Sequence, residues 1–304
     1  MAISKEEKPL FKLRGIYAPI PTPFENDQIA FDKLAANMEF WLASKLSGIV
    51  VMGSNGEFVV LSQEEKKELI SKACKMIQGR KPVLVGVGCE STKETIELAK
   101  HAADVGADAA LALSPNYYKR AMTDDLNKVF FQEVADACPI PLVMYNMPAN
   151  TGINLSSKLV AELSSHPNII GIKDSSGNIV QIAEIINSTP PDFSVFAGSA
   201  SFLYPSLVLG ATGGTLALAN VLPDECAEIQ ELTEAGRHAE ARALQLKILD
   251  INNAVTARWG VSGLKAALEM QGLFGGEPRK PLLPLGEQER KTLAAILAKA
   301  KNPA

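Results

Sequence analysis

Asn168-Ile169-Ile170-Gly171-Ile172-Lys173-Asp174-Ser175-Ser176-Gly177 sets three β-branched isoleucines and a glycine directly before a lysine, with small polar residues after it. The run reads as a buried strand that ends at Lys173. An ammonium at the end of an apolar strand is costly to desolvate unless it is paired or neutral. One reading lets Lys173 snorkel to the surface or pair with Asp174. The other makes it a buried nucleophilic amine, ready to form a Schiff base with a carbonyl substrate. Asp174 is expected on the opposite side of the strand, because successive strand residues alternate.

Outward from this stretch, apolar runs of strand length begin near residues 15, 48, 82, 109, 142, 169, 193 and 213. Between them lie helical patterns: Phe31–Leu46, one opened by the capping-box sequence Ser62-Gln-Glu-Glu65, one opened by Ser91-Thr-Lys-Glu94, and Asp124–Ala137. Alternating apolar strands and amphipathic helices imply a parallel sheet, and eight such units imply a closed (β/α)8 TIM barrel over residues 12–221. Beyond Asn220 the strands stop. Pro223–Gly236, His238–Ala257, Val261–Gln271 and Glu287–Ala300 form a C-terminal helical region, residues 222–304, expected to pack on the barrel. Leu293, Ile296, Leu297 and Ala300 give the last helix an apolar face.

The 304 residues are 47% hydrophobic and carry a net charge of −4, enough for a large core and without the basic footprint of a nucleic-acid or anionic-membrane binder. The four cysteines, Cys74, Cys89, Cys138 and Cys226, form no CxxC pair, and the three histidines, His101, His166 and His238, show no metal-ligand spacing. No metal or other cofactor is expected. No apolar run approaches the roughly 20 residues of a membrane span. The N-terminal residues mix acids and bases without an apolar h-region, so a cytoplasmic protein is expected. The pattern Gly86-Val-Gly88 lacks the third glycine of a dinucleotide fingerprint.

In a barrel of this type the chemistry sits at the C-terminal ends of the strands. Those ends carry Ser54, Tyr117 and Tyr118, Tyr145, and Lys173. A lysine can attack a ketone, a phenol can move protons on carbinolamine, imine and enamine, and hydroxyls with loop amides can hold a carboxylate. Ser175, Ser176 and Gly198 follow the sixth and seventh strands at the same rim, as further candidates for substrate contact. Read singly, Ser54 is a turn serine, Tyr145 a structural tyrosine, and Glu57 an acid that holds loops. Their coincidence at successive strand ends favours chemistry.

Gly53-Ser54-Asn55-Gly56-Glu57, Tyr145-Asn146-Met147-Pro148 and Gly171–Gly177 resemble the signatures of the dihydrodipicolinate synthase/N-acetylneuraminate lyase superfamily, in the same order, within a likeness spanning about residues 12–300. The resemblance implies a TIM barrel with a C-terminal helical region, usually a homotetramer, and a pyruvate-type Schiff base. It makes Lys173 the imine lysine and Tyr145 the proton shuttle. Ser54 and Asn55 fall at the positions that bind the pyruvyl carboxylate, and Tyr117 at a tyrosine contributed by a neighbouring subunit. Dihydrodipicolinate synthases usually carry two threonines where this chain has Ser54 and Asn55, and an arginine where it has Asn150. A neutral amide does not reproduce a guanidinium's bidentate grip on a carboxylate. The Ser54-Asn55 loop, Gly88–Thr92, Tyr117-Tyr118, Pro148–Gly152, Ala219–Leu222 and Asn253–Thr256 most resemble 4-hydroxy-2-oxoglutarate aldolases. The expected reaction is therefore class I cleavage of 4-hydroxy-2-oxoglutarate to pyruvate and glyoxylate, with Asn150, Ser175 or Ser176 meeting the distal carboxylate. The alternatives are a 2-keto-3-deoxy sugar-acid aldolase, dihydrodipicolinate synthesis, and a non-catalytic ligand-binding barrel.

Overall fold

A computed structural model describes residues 11–301. Eight parallel strands close into a barrel. They are β1 (Gly15–Pro19), β2 (Gly48–Val51), β3 (Val83–Gly86), β4 (Ala109–Leu113), β5 (Leu142–Asn146), β6 (Ile169–Asp174), β7 (Ser194–Ala197) and β8 (Gly213–Thr215). Helices follow the strands in turn: α1 (Phe31–Ala43), α2 (Gln63–Ile77), α3 (Thr92–Asp104), α4 (Asp124–Ala137), α5 (Ser157–Leu163), α6 (Ile179–Ser188), α7 (Leu203–Leu209) and α8 (Pro223–Glu234). The architecture is the expected (β/α)8 barrel.

Alternation along the strands builds two cores. Tyr17, Val50, Leu84, Leu111, Val143 and Phe196 fill the barrel interior, with the Tyr17 and Phe196 rings edge-on at 5.5 Å. The intervening residues, such as Ile49, Val51, Val85, Met144 and Ile172, pack outward under the helices. Local chemistry sets the helix starts. Ser62 and Glu65 form a complete capping box on α2, while Thr123, Ser156 and Asn178 cap α4, α5 and α6. At α3 only half the expected box exists. Ser91 caps the Glu94 N–H, but the Glu94 carboxylate takes the Ser91 hydroxyl instead of its N–H.

The chain departs from the sequence pattern in three further places. A hairpin, Phe24–Glu25 with Gln28–Ile29, precedes α1; Asn26 and Asp27 turn it at positive φ. β8 ends at Thr215, and the apolar run Ala217–Asn220 curls into a 3₁₀ turn instead of extending the strand. The helical pattern His238–Ala257 breaks into α9 (His238–Lys247), α10 (Leu249–Asn253) and a π turn, Ala254–Arg258. Next come α11 (Gly260–Glu269), an extended segment, and α12 (Glu287–Lys301).

α8 packs against β1 and α7, the place of an eighth barrel helix. α12 buries Leu293, Leu297 and Ala300 against α10 and α11. The extended segment is tied to the barrel by Asn37, whose amide bonds both the carbonyl and the N–H of Phe274, at 2.7 and 2.9 Å. Among the described residues no helix is long and apolar enough to cross a membrane.

Phe196 is fully buried between the barrel walls. Phe196→Ala is expected to cost about 3–5 kcal/mol of stability through the cavity it leaves. Urea unfolding measures this as a lowered midpoint with an unchanged slope.

Candidate active site

β5 and β6 pair in parallel with Tyr145 beside Lys173 and Asn146 beside Asp174. Alternation turns the first pair inward and the second toward the helices. Lys173 is 4% exposed and Tyr145 5%. The Lys173 Nζ sits 3.8 Å from the centroid of the Tyr145 ring, and Lys173 takes part in none of the ion pairs among the described residues. Both the snorkelling reading and the Asp174-paired reading of this lysine are thereby set aside.

The Tyr145 hydroxyl lies 3.3 Å from Ser54 Oγ, across the mouth. Burial pushes the Tyr145 phenol up, but the Lys173 ammonium and the Ser54 hydroxyl beside it outweigh that, and the phenol is held below its ordinary value. The site thus favours a phenol able to give up its proton. A small cavity lined by Ser54, Phe58, Gly88, Leu111, Leu113 and Tyr145 opens beside this pair.

Ser54 and Asn55 stand on a 3₁₀ turn, Ser54–Gly56, bracketed by two left-handed non-glycine residues, Met52 (φ 61°) and Glu57 (φ 57°). Such backbone is disfavoured for side chains with a Cβ and persists where the surroundings over-determine it. Gly86 makes room for the turn, since a Cβ there would lie 2.0 Å from the Met52 carbonyl oxygen. Gly198 is tight in the same way. Its N–H donates to the Asp174 carbonyl at 2.7 Å, and a Cβ would strike Ser175 Oγ. That hydroxyl is buried and makes no geometrically sound hydrogen bond, as is the Thr215 hydroxyl on β8.

Behind the strands lies a polar layer. Asp174 is fully buried, on the helix side expected for it. It accepts from Asn146 Nδ2 at 2.8 Å, Gln181 Nε2 at 3.1 Å, and both the N–H and the hydroxyl of Ser176. Asn154 links Asn146 to Gln181, and Asn146 Oδ1 accepts the Leu155 N–H. Charge-assisted bonds of this kind hold a buried carboxylate without a cation. The Ser176 hydroxyl is consumed here, donating to Asp174 and accepting from the Asn178 N–H. The substrate contact expected of Ser176 therefore has no free hydroxyl proton.

Two other expected residues stand apart from Lys173. Asn150 is exposed on a one-turn helix, Pro148–Thr151. The Tyr117 ring is 78% exposed, edge-on to Tyr118 at 5.1 Å, and makes no hydrogen bond to Tyr145 or Ser54 within this chain. One residue the motifs did not indicate is Lys119. Its Nζ lies 3.7 Å from the point a Cβ on Gly152 would occupy, which brings an ammonium to the turn that carries Asn150. Glu57 behaves as the loop-holding acid expected of it, 2% exposed and 2.6 Å from the Lys265 ammonium. Among the described residues no group of three or more His, Cys, Asp or Glu side chains could hold a metal.

Asp174→Ala would strand the donors of Asn146, Gln181 and Ser176. It is expected to cost about 2–4 kcal/mol in chemical denaturation, because each buried unsatisfied donor costs about 1–3 kcal/mol.

The chain matches the Dihydrodipicolinate synthetase family over residues 12–300. It is 39% identical over 287 residues to 4-hydroxy-tetrahydrodipicolinate synthase of Methanoculleus marisnigri, covering 93% of this chain and 98% of that one. With the enzyme of the same name from Geotalea uraniireducens it shares 36% over 284 residues, 93% of this chain and 97% of the other. The crystal structure of DapA-2, a dihydrodipicolinate synthase from Bacillus anthracis, superposes with a TM-score of 0.92 at 31% identity, over 97% of this chain and 100% of that one. YagE, a prophage protein of the dihydrodipicolinic acid synthase family from E. coli K12 solved in complex with pyruvate, gives 0.90 at 30% identity, over 95% and 98%. The two curated relatives bear the synthase name and not that of 4-hydroxy-2-oxoglutarate aldolase, so they support the superfamily expected from the motifs but not that finer assignment. On this coverage and identity the chain belongs to the dihydrodipicolinate synthetase family, and it is a pyruvate-dependent carbon–carbon lyase.

Proposed function

We propose that the chain is a class I aldolase that cleaves 4-hydroxy-2-oxoglutarate to pyruvate and glyoxylate through an imine on Lys173. The observation that carries the imine is the Lys173 Nζ over the Tyr145 ring, with the Tyr145 hydroxyl 3.3 Å from Ser54. Lys173 attacks the 2-keto carbon, a carbinolamine forms, and water leaves to give the protonated imine. Tyr145, through Ser54, takes the proton of the 4-hydroxyl. The C3–C4 bond breaks, its electron pair flows into the iminium, and glyoxylate departs. The enamine takes a proton at C3, and water hydrolyses the imine to release pyruvate and free Lys173. Ser54, Asn55 and Ser175 hold the carboxylate next to the reacting ketone, with Gly198 supplying the close backbone beside Ser175.

Asn150 supports cleavage over synthesis, because position 150 offers an exposed amide and no guanidinium. Lys119 supplies a positive charge for the distal carboxylate at that same turn. A second reading, condensation of pyruvate with a carboxylate-bearing aldehyde as in 4-hydroxy-tetrahydrodipicolinate synthase, uses the same enamine in the opposite direction. The names of the relatives favour it over the first. A polyhydroxy 2-keto-3-deoxy sugar acid is a third substrate for the same imine, suited to the serines and Asn150.

Borohydride reduction with pyruvate is expected to add one pyruvyl unit to the intact chain and to map to Lys173. No adduct there would favour a non-catalytic binding barrel. A panel of 4-hydroxy-2-oxoglutarate, sugar acids and the condensation reaction then separates the readings. Pyruvate release from 4-hydroxy-2-oxoglutarate, weakened in KM by Lys119→Met without loss of pyruvate trapping, supports the first. Turnover confined to the condensation overturns it.

Tyr118, Leu126 and Val129 are exposed along one groove, with the exposed Tyr117 edge-on to Tyr118; surface of this kind supports a homotetramer in which a neighbour completes the proton relay through Tyr117. Light scattering is expected to give a mass about four times that of the chain, and Tyr117→Phe to lower kcat while trapping at Lys173 persists. A fully active monomer rules out the shared relay.

A further inference from the structure

We propose that Lys265 and Glu57 are positioning residues, a buried lock through which the C-terminal region holds the Ser54–Asn55 turn in the shape that binds the substrate carboxylate. The inference rests on the imine reading for its catalytic consequence, but the lock itself is a matter of geometry. The Ser54–Gly56 turn begins after a strained residue, Met52, and ends on another, Glu57. Something must hold it, because a left-handed non-glycine pair tends to relax once its neighbours allow.

The restraint comes from the C-terminal side of the molecule. Lys265, on α11, is 1% exposed, and its Nζ lies 2.6 Å from Glu57 Oε1. The same ammonium donates to the Glu277 carbonyl at 3.0 Å and lies 4.6 Å from the Phe24 ring centroid. The other carboxylate oxygen of Glu57 accepts the Arg279 N–H at 2.8 Å. Arg279 then grips the far end of the loop. It donates to the Val60 carbonyl at 3.1 Å and takes both oxygens of Glu65, the capping residue of α2, at 2.7 and 2.8 Å. It also binds Asp27 in the hairpin turn. Thr22 completes the cradle with a 2.7 Å bond to the Gly56 carbonyl. Residues 52–65 are thus held at Gly56, Glu57, Val60 and Glu65, mostly by groups from α11 and the segment after it.

A buried pair is weak evidence of net stability, since its attraction is offset by desolvation, but losing one partner leaves an uncompensated charge. Burial pushes the Lys265 ammonium down, and Glu57 opposes that shift. What the pair supplies is a fixed position for one end of a strained turn. Neither side chain reaches the reacting atoms, so each acts through Ser54 and Asn55.

The test uses the full chain with Lys265→Met, which removes the ammonium, and Glu57→Gln, which keeps the volume and one acceptor but gives up the charge and the second acceptor. Hydrogen exchange read by mass spectrometry is the first measurement. Amides of residues 54–61 are expected to exchange about tenfold faster in Lys265→Met and less so in Glu57→Gln, with β5 and β6 unchanged. Borohydride trapping is the second. The pyruvate concentration for half-trapping is expected to rise about ten- to a hundredfold in Lys265→Met, because the carboxylate site is misplaced. Trapping by hydroxyacetone, which has no carboxylate, is expected to stay unchanged. Should Lys265→Met fail to fold, Glu57→Gln carries both measurements. Unchanged exchange in 54–61 overturns the lock, as does faster exchange with pyruvate trapping unaffected. A parallel loss of pyruvate and hydroxyacetone trapping also overturns it, since the damage then lies at Lys173. If the wild-type chain is not trapped by pyruvate, the imine reading falls and the exchange rates alone decide whether the pair holds the turn.

Discussion

The in-register pairing of β5 with β6 is the constraint on which the rest of the site depends. Two adjacent residues on each strand face opposite ways, so one register sets two pairs at once. Inside the barrel it sets Lys173 against Tyr145; outside, it sets Asp174 against Asn146. A slip of β6 by one residue would bring Asp174 in beside Tyr145 and expel Lys173 into the helix layer. The hydrogen bonds from Asn146, Gln181 and Ser176 therefore do more than satisfy Asp174. They make the wrong register leave several buried polar groups without partners.

Much of this was legible in the sequence, and the parts that were not share a cause. The eight strands and most helices declared themselves through apolar runs and caps, because burial on two layers leaves a strong local pattern. The sixth strand marks its lysine, but it is the coincidence of Tyr145 and Ser54 at other strand ends, not the lysine alone, that points to chemistry. The local pattern does not fix the end of β8, because Leu216–Ala219 is apolar whether it extends or curls. The hairpin was missed although Asn26-Asp27 is a turn signal, its strands being two residues each. The polar layer behind Asp174 joins residues 146, 154, 174 and 181 from separate segments, and no local pattern encodes such contacts. Ser176 was assigned to the substrate for the same reason: its real acceptor is its near neighbour Asp174, a choice made by backbone direction.

The C-terminal region has two relationships to the barrel. α8 completes the ring, and α12 seals an apolar seam with Leu293 and Leu297. The segment between α11 and α12 is different in kind. It is extended, it touches the hairpin, the β2–α2 loop and α1, and its contacts are mostly directional: a two-point amide bond from Asn37, a hydrogen bond from Lys265 to the Glu277 carbonyl, a guanidinium fork from Arg279. Directional contacts fix where a loop sits, whereas apolar contacts mainly fix whether it stays.

Gly86 carries a consequence for how such an enzyme can diversify. Any side chain at that position would collide with the Met52 carbonyl, and Gly198 is similarly closed by the Asp174 carbonyl at 2.7 Å from its would-be Cβ. The wall of the mouth beside Ser54, Tyr145 and Lys173 is accordingly rigid to substitution. Asn150 and Lys119, by contrast, are exposed, so substitutions there meet no buried neighbour. The mouth thus divides into a half closed to substitution and an exposed half; on the imine reading the first would make the enamine and the second would meet the other reactant. New substrates can be acquired on one side without renegotiating the chemistry on the other.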